Sequence, residues 1–329
     1  MIRPLRALPA LIVGVAALAA AGPAWGAYPG QNGRIAFTTD RDGNLEIYST
    51  RADGRDPRNL TNNLANDSWP TYSPDGRFIA FYSDRDEQEE IYVMRADGSR
   101  QTRVTVSPGV ADFEPAWSPD GKRLVFGSAA ISPDGSLGNG DLYVIDIRHG
   151  RAAGPARNLT RSPDADDFEP AWSPDGRRIA FDSNAADPEN FDVYDIRPNG
   201  RDLRRLTDAA GFDGGPNYSP DSRRLVFDTE RNGNPDIYLM SASGAHQTPL
   251  EMTPATELVT AFSPDGRFIT FTSNRDGTAP CSPDQTEACP DVFVKRAFLS
   301  APAFNLTRSP TSADFAPDWQ PLDRRHHGR

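Results

Sequence analysis

The chain has 329 residues and a formal net charge of −11, with 37% hydrophobic residues but 30 Pro and 27 Gly. So acidic a chain repels phosphate backbones, which excludes nucleic acid as an expected partner. The Pro and Gly recur at fixed places, which argues against a low-complexity chain and for an all-β fold rich in turns.

Residues 1–26 read as a secretory signal. Arg3 and Arg6 form a positive start, Leu11 to Ala21 an uncharged apolar stretch, and Ala24-Trp25-Gly26 a small-residue cleavage site before Ala27. The apolar stretch is too short and Ala-rich for a membrane span, and no later segment could serve as one. Removing the signal takes away two Arg and no acid, leaving −13 on the mature chain.

From Gly33 onward the chain repeats one unit. An aromatic residue is followed by Ser-Pro-Asp-Gly, a basic residue and an apolar run, as in Ala171-Trp172-Ser173-Pro174-Asp175-Gly176-Arg177-Arg178-Ile179-Ala180-Phe181. Pro presets the second turn position, Asp tolerates the third, and Gly takes the positive φ that follows. The apolar runs begin at Ile35, Ile79, Leu124, Ile179, Leu225 and Ile269. Six units of roughly 45 residues are the signature of propeller blades, each a four-stranded sheet.

Within each unit a polar turn such as Asp40-Arg41-Asp42-Gly43-Asn44 leads to a third strand such as Glu46-Ile47-Tyr48. A further turn, Ala52-Asp53-Gly54 in the first unit, leads to a short outer strand, Asn59-Leu60-Thr61. Asn59, Asn158 and Asn305 match the glycosylation pattern but recur as part of this strand. Units three, four and six carry insertions at 129–140 and 150–156, at 185–190, and at 276–290. Unit five has Ser222 where the turn glycine belongs, a position of strain or of a different turn. Trp117, Trp172, Tyr72 and Tyr218 read as inter-blade packing. Trp69 falls outside that phase and is the aromatic expected at the surface.

The ends are complementary. The first unit lacks the strand before its apolar run, and Ala316-Pro317-Asp318-Trp319-Gln320-Pro321 supplies such a strand without its continuation. The C-terminal strand should therefore complete the first blade and close the ring, removing open sheet edges. The expected organisation is a signal peptide (1–26), one six-bladed β-propeller (27–321) and a basic tail (322–329). Cys281 and Cys289, the two cysteines, bracket a polar stretch inside the last insertion; in an exported chain they are expected to form a disulfide that pins this loop.

These repeats resemble the WD-repeat-like PD propeller repeats of the TolB family, over roughly Gly33 to Pro321. The resemblance implies an exported propeller, periplasmic or secreted, that binds a protein, peptide or glycan. TolB proper carries an additional α/β domain before its propeller, which is not expected here.

Chemistry is sparse. There is no Gly-x-Ser-x-Gly, and His149 and His246 lie in turn-like surroundings while His326 and His327 sit in the tail. The Asp40–Asn44 turn lacks the spacing and the twelfth-position Glu of a calcium loop. The suggestive set precedes the first strand of each unit: Asp67, Asp112 with Glu114, Asp167 with Glu169, Asp213, Glu257 and Asp314. If the first strand is innermost, these carboxylates gather at one mouth of the channel, where converging charges raise one another's pKa or recruit a cation. The same acids also suit solvated turns. The reading is a monomeric, non-enzymatic binding or scaffold protein of the cell envelope. No cofactor is expected, calcium being the one ion the mouth could recruit. The alternative is a metal-dependent lyase or hydrolase using that mouth.

Overall fold

A computed structural model describes residues 27–277, 288–298 and 301–322. They form six antiparallel sheets and no helix, so the described residues contain no helix long and apolar enough to cross a membrane. Blade 2 shows the plan: inner strand Asp67–Tyr72, then Phe78–Ser83, Glu90–Arg95 and the outer Thr102–Arg103. The inner strands of blades 3 to 6 are Val110–Trp117, Asp167–Trp172, Asp213–Tyr218 and Glu257–Phe262. Each touches the inner strands of its two neighbours, so the six surround a common axis. Among the described residues blade 3 alone has a fifth strand, Arg151–Ala152, paired with the end of Leu137–Arg148.

Closure follows the complementary ends. The strand Asp314–Leu322 pairs antiparallel with Gln31–Thr39, with Ile35 opposite Trp319 and Thr39 opposite Asp314. Blade 1 is thus built from both termini of the propeller.

The Ser-Pro-Asp-Gly segments are the turns between first and second strands. In blade 2 the Gly76 N–H donates to the Ser73 carbonyl at 2.8 Å, and the Ser73 hydroxyl donates to Asp75 at 2.6 Å. The Arg77 and Phe78 N–H groups return to Asp75 and Ser73. Ser222 makes the same turn: its N–H donates to the Ser219 carbonyl, and it holds the left-handed φ of 59° that Gly takes elsewhere. The sequence left strain and a different turn open; the turn is the same one.

Packing lies between blades. Tyr72, Trp117, Trp172, Tyr218 and Phe262 end their inner strands, Trp319 holds the equivalent place in the closing strand, and all are buried. The second strands bury Phe37, Phe81, Phe126, Phe181, Phe227 and Phe271. Each such side chain removed from water contributes roughly 1.5–3 kcal/mol. Trp69 departs from the sequence expectation: it is 8% exposed, stacked on Tyr82 at 5.4 Å and edge-on to Phe315. The Asn59, Asn158 and Asn305 side chains cap the turn that follows them, each accepting an N–H from three residues on.

Candidate functional site

All six inner strands start on one face, with an acid at the first position in five of them and at the third, Asp112, in blade 3. The Ser-Pro-Asp turns lie on the opposite face. In blades 1, 2, 5 and 6 an arginine from the turn between second and third strands closes on that acid. Arg41 grips Asp314 at 2.9 and 3.1 Å, Arg85 meets Asp67 at 2.6 Å, Arg231 grips Asp213 at 3.0 Å, and Arg275 meets Glu257 at 2.8 Å. The acid is fully buried in each pair. Every one of these guanidiniums also lies over an aromatic ring, Tyr48, Tyr92, Tyr238 and Phe293, at 4.5–4.9 Å. The polar turn that superficially suggests a calcium loop is therefore the source of the clamp.

Blades 3 and 4 break the rule. The position two residues after Ser128 and Ser183 holds Ala130 and Ala185 instead of arginine. Asp112 is held by hydroxyls instead, those of Ser107 and Ser128 at 2.8 and 2.6 Å with Thr105 beside them. Asp167 keeps one buried carboxylate oxygen without a hydrogen-bond partner. Burial raises both carboxyls above the ordinary range, against the hydroxyls that donate to them.

A second tier lies two residues along each inner strand. Trp69, Glu114, Glu169, Gly215, Val259 and Ala316 all adopt φ between 53° and 56°, and each inner strand slips its register there. The bulge frees backbone N–H groups from the ladder, and a side chain of the preceding blade accepts several of them. Thr38 accepts from Trp69, Glu114 from Glu169, Glu169 from Gly215, and Asp228 from Val259, at 2.7–3.1 Å. Glu114 and Glu169 are thus latches between blades as well as channel acids.

Two further carboxylates join them, Asp182 and Asp228, which the sequence reading did not single out. They occupy the second-strand position filled by Thr38, Tyr82, Gly127 and Thr272 in the other blades. Each is 2% exposed or less and leaves one oxygen unpartnered. Burial pushes Glu114 up to about 7. Burial and then the charges of Asp182, Glu114 and Asp228 drive Glu169 well above the carboxylate range, and burial does the same to Asp182 and Asp228. Among the described residues, however, no three His, Cys, Asp or Glu side chains come together as a set that could hold a metal ion.

Beside these acids runs an aromatic row across blades 3 to 5. Phe113, Phe168, Phe191 and Phe212 follow one another at centroid distances of 5.6, 6.2 and 6.0 Å. All but Phe168 are half-buried. The extended hairpins of Arg123–Ile131 with Leu137–Arg148, and of Ile179–Asp187 with Asn190–Ile196, rise on the same face. The opposite mouth is crossed by residues 27–30: the Ala27 N–H donates to Tyr218, the Gly30 N–H to Pro264, and the Tyr28 hydroxyl to the Trp117 carbonyl.

The predicted set thus separates. Asp67, Asp213, Asp314 and Glu257 sit in arginine pairs; Asp112 and Asp167 lack them; Glu114 and Glu169 stand with Asp182 and Asp228. Cys289 is buried, and Cys281 lies outside the described residues, as does the basic tail from residue 323.

The TolB beta propeller domain model, PD40, matches residues 12–129 and 192–281, more than half of the chain. The uncharacterized peptidase YuxL of Bacillus subtilis is 30% identical over 55% of this chain and 24% of its own length. The Tol-Pal system protein TolB of Francisella tularensis subsp. mediasiatica is 28% identical over 50% of this chain and 36% of its own. The chain thus spans about a quarter to a third of the curated relatives it matches. The crystal structure of TolB from Acinetobacter baumannii superposes with a TM-score of 0.67 at 19% identity, over 88% of this chain and 67% of that one. The six blades, the repeated turn and the family match agree: this chain belongs to the TolB beta-propeller domain family, PD40.

Proposed function

We propose that the protein is an exported, non-enzymatic binding module of the cell envelope, whose ligand enters the channel mouth at blades 3 to 5. The observation that carries this reading is asymmetry. Four blades lock their first acid with an arginine; blades 3 and 4 dispense with the clamp, raise longer hairpins and align four phenylalanine rings beside Glu114 and Glu169. Irregular loops on a regular scaffold are where specificity sits. Aromatic rings beside carboxylates suit a protein or peptide segment that carries a basic group. The matched relatives include a Tol-Pal system protein, which supports an envelope role. Site-specific photocrosslinking tests it: a photoreactive residue at Phe191 should capture an envelope component, and one at Asp42, on the clamped blade 1, should not.

The enzymatic reading draws on one feature. A carboxyl raised to about 7, as Glu114 is, is suited to general acid–base work near neutral pH. The matched relatives include a peptidase, which supports this reading. Turnover of peptide substrates by the purified chain, abolished in E114Q, would favour it over the binding role.

A further inference from the structure

On the face opposite the channel mouth lies a groove of about 610 Å³ lined by Arg77, Arg95, Arg100 and Arg151 with His149. Its floor is the half-buried ring of Phe78 and the buried Val93. Blade 2 supplies one wall: Arg77 follows the Ser-Pro-Asp-Gly turn, and Arg95 and Arg100 flank the turn between its third and fourth strands. Blade 3 supplies the other. Its extra strand turns through Arg148, His149, Gly150 and Arg151, with His149 and Gly150 both at positive φ. Gly150 packs on Phe78 and Val93 so closely that a Cβ there would come within 3.3–3.4 Å of each.

The charge in this groove is unspent. The arginines on the channel-mouth face are bound to acids, whereas these four are exposed and their guanidiniums make no hydrogen bond or ion pair among the described residues. Asp97 feels the charge of Arg95 without pairing to it. A protein of net charge −11 has thus gathered four free guanidiniums around an apolar floor, using the extra strand of blade 3. Free guanidinium forks match carboxylates in pairs, and the apolar floor gives a side chain between them a surface to cover.

We propose that this groove docks an acidic peptide segment of a partner protein, with glutamate or aspartate carboxylates on the arginines and an apolar side chain on Phe78 and Val93. The site is separate from the channel mouth and does not rest on the reading given for it.

Calorimetric titration of the full chain with a synthetic peptide of alternating glutamate and leucine tests the proposal, with the glutamine–leucine peptide, inorganic phosphate and phosphatidylglycerol vesicles as comparisons. The glutamate peptide alone should bind, roughly tenfold or more weakly in R95E/R100E and in R151E, and progressively more weakly with salt. These side chains are exposed, so circular dichroism should show an unchanged fold; the milder R95Q/R100Q should weaken binding in the same direction. No binding of the glutamate peptide, binding indifferent to the arginine variants, or binding of vesicles or phosphate in its place would each overturn the proposal.

Discussion

Arg231 and Asp213 show what a single pair contributes in this fold. The carboxylate is wholly buried, accepts two bonds from one guanidinium, and has the Tyr238 ring beneath that cation. Removing the arginine leaves a buried charge without compensation, which costs about 3–5 kcal/mol. R231A should therefore lower the unfolding free energy by that order in a denaturant titration. Adding D213N should restore part of it, because the stranded charge is then gone. A double variant no more stable than R231A would mean that the arginine acts through ring packing alone. Glu114 and Asp318 make the opposite case, since burial lifts both to about 7. A carboxyl whose folded pKa lies above its unfolded value stabilises fully below the unfolded value, and that contribution is lost as pH rises through the folded one. Melting temperature should thus fall from pH 5 to pH 8, and E114Q and D318N should each flatten the slope; a slope identical to the wild type would contradict this placement of the two groups.

At the scale of elements, the turn between first and second strands is the repeating device, and its glycine has two different burdens. Gly121 has φ of 65°, and the nearest atom to an added Cβ is 3.9 Å away. G121A should cost only the left-handed backbone, about 1–2 kcal/mol. Gly76 has nearly the same φ, but a Cβ there would stand 2.1 Å from the Pro321 carbonyl oxygen on the closing strand. G76A should cost about 1–3 kcal/mol more. Thermal melts of the two variants side by side check this, and equal losses would contradict the tight seating of the closing strand on the blade 2 turn. These elements were legible because each has a fixed local chemistry: Pro, Asp and Gly at set turn positions, and an aromatic five residues after the first acid. Trp69 was misplaced because the bulge at its position turns the side chain out of the phase that an even strand alternation implies.

At the scale of the whole molecule, the unequal ends in the sequence gave away the ring, because a unit lacking its first strand and a stray copy of that strand can pair only by closure. The site was legible in part. Glu114 and Glu169 stand out as acids after a repeated Asp-Phe, but Asp182 and Asp228 hide inside apolar runs, after Phe181 and Phe227. Their role appears only when the units are aligned and Thr38, Tyr82, Gly127 and Thr272 fall in the same column. The arginine clamp was hidden for a different reason: its acid opens the first strand and its arginine follows the second, 18 residues apart in blades 2, 5 and 6, and in blade 1 Arg41 and Asp314 meet only through closure. Its loss at Ala130 and Ala185 is what singles out blades 3 and 4. The account stands most directly on crosslinking from those blades. With the photoreactive residue at Phe191, capture of an envelope component by the full chain should be strong, should be lost when E114Q and E169Q are added, and should be absent with the residue moved to Asp42 or Asp86. Capture of equal yield from all three positions, or capture at Phe191 that ignores the two glutamines, would contradict a ligand seated at the mouth of blades 3 to 5.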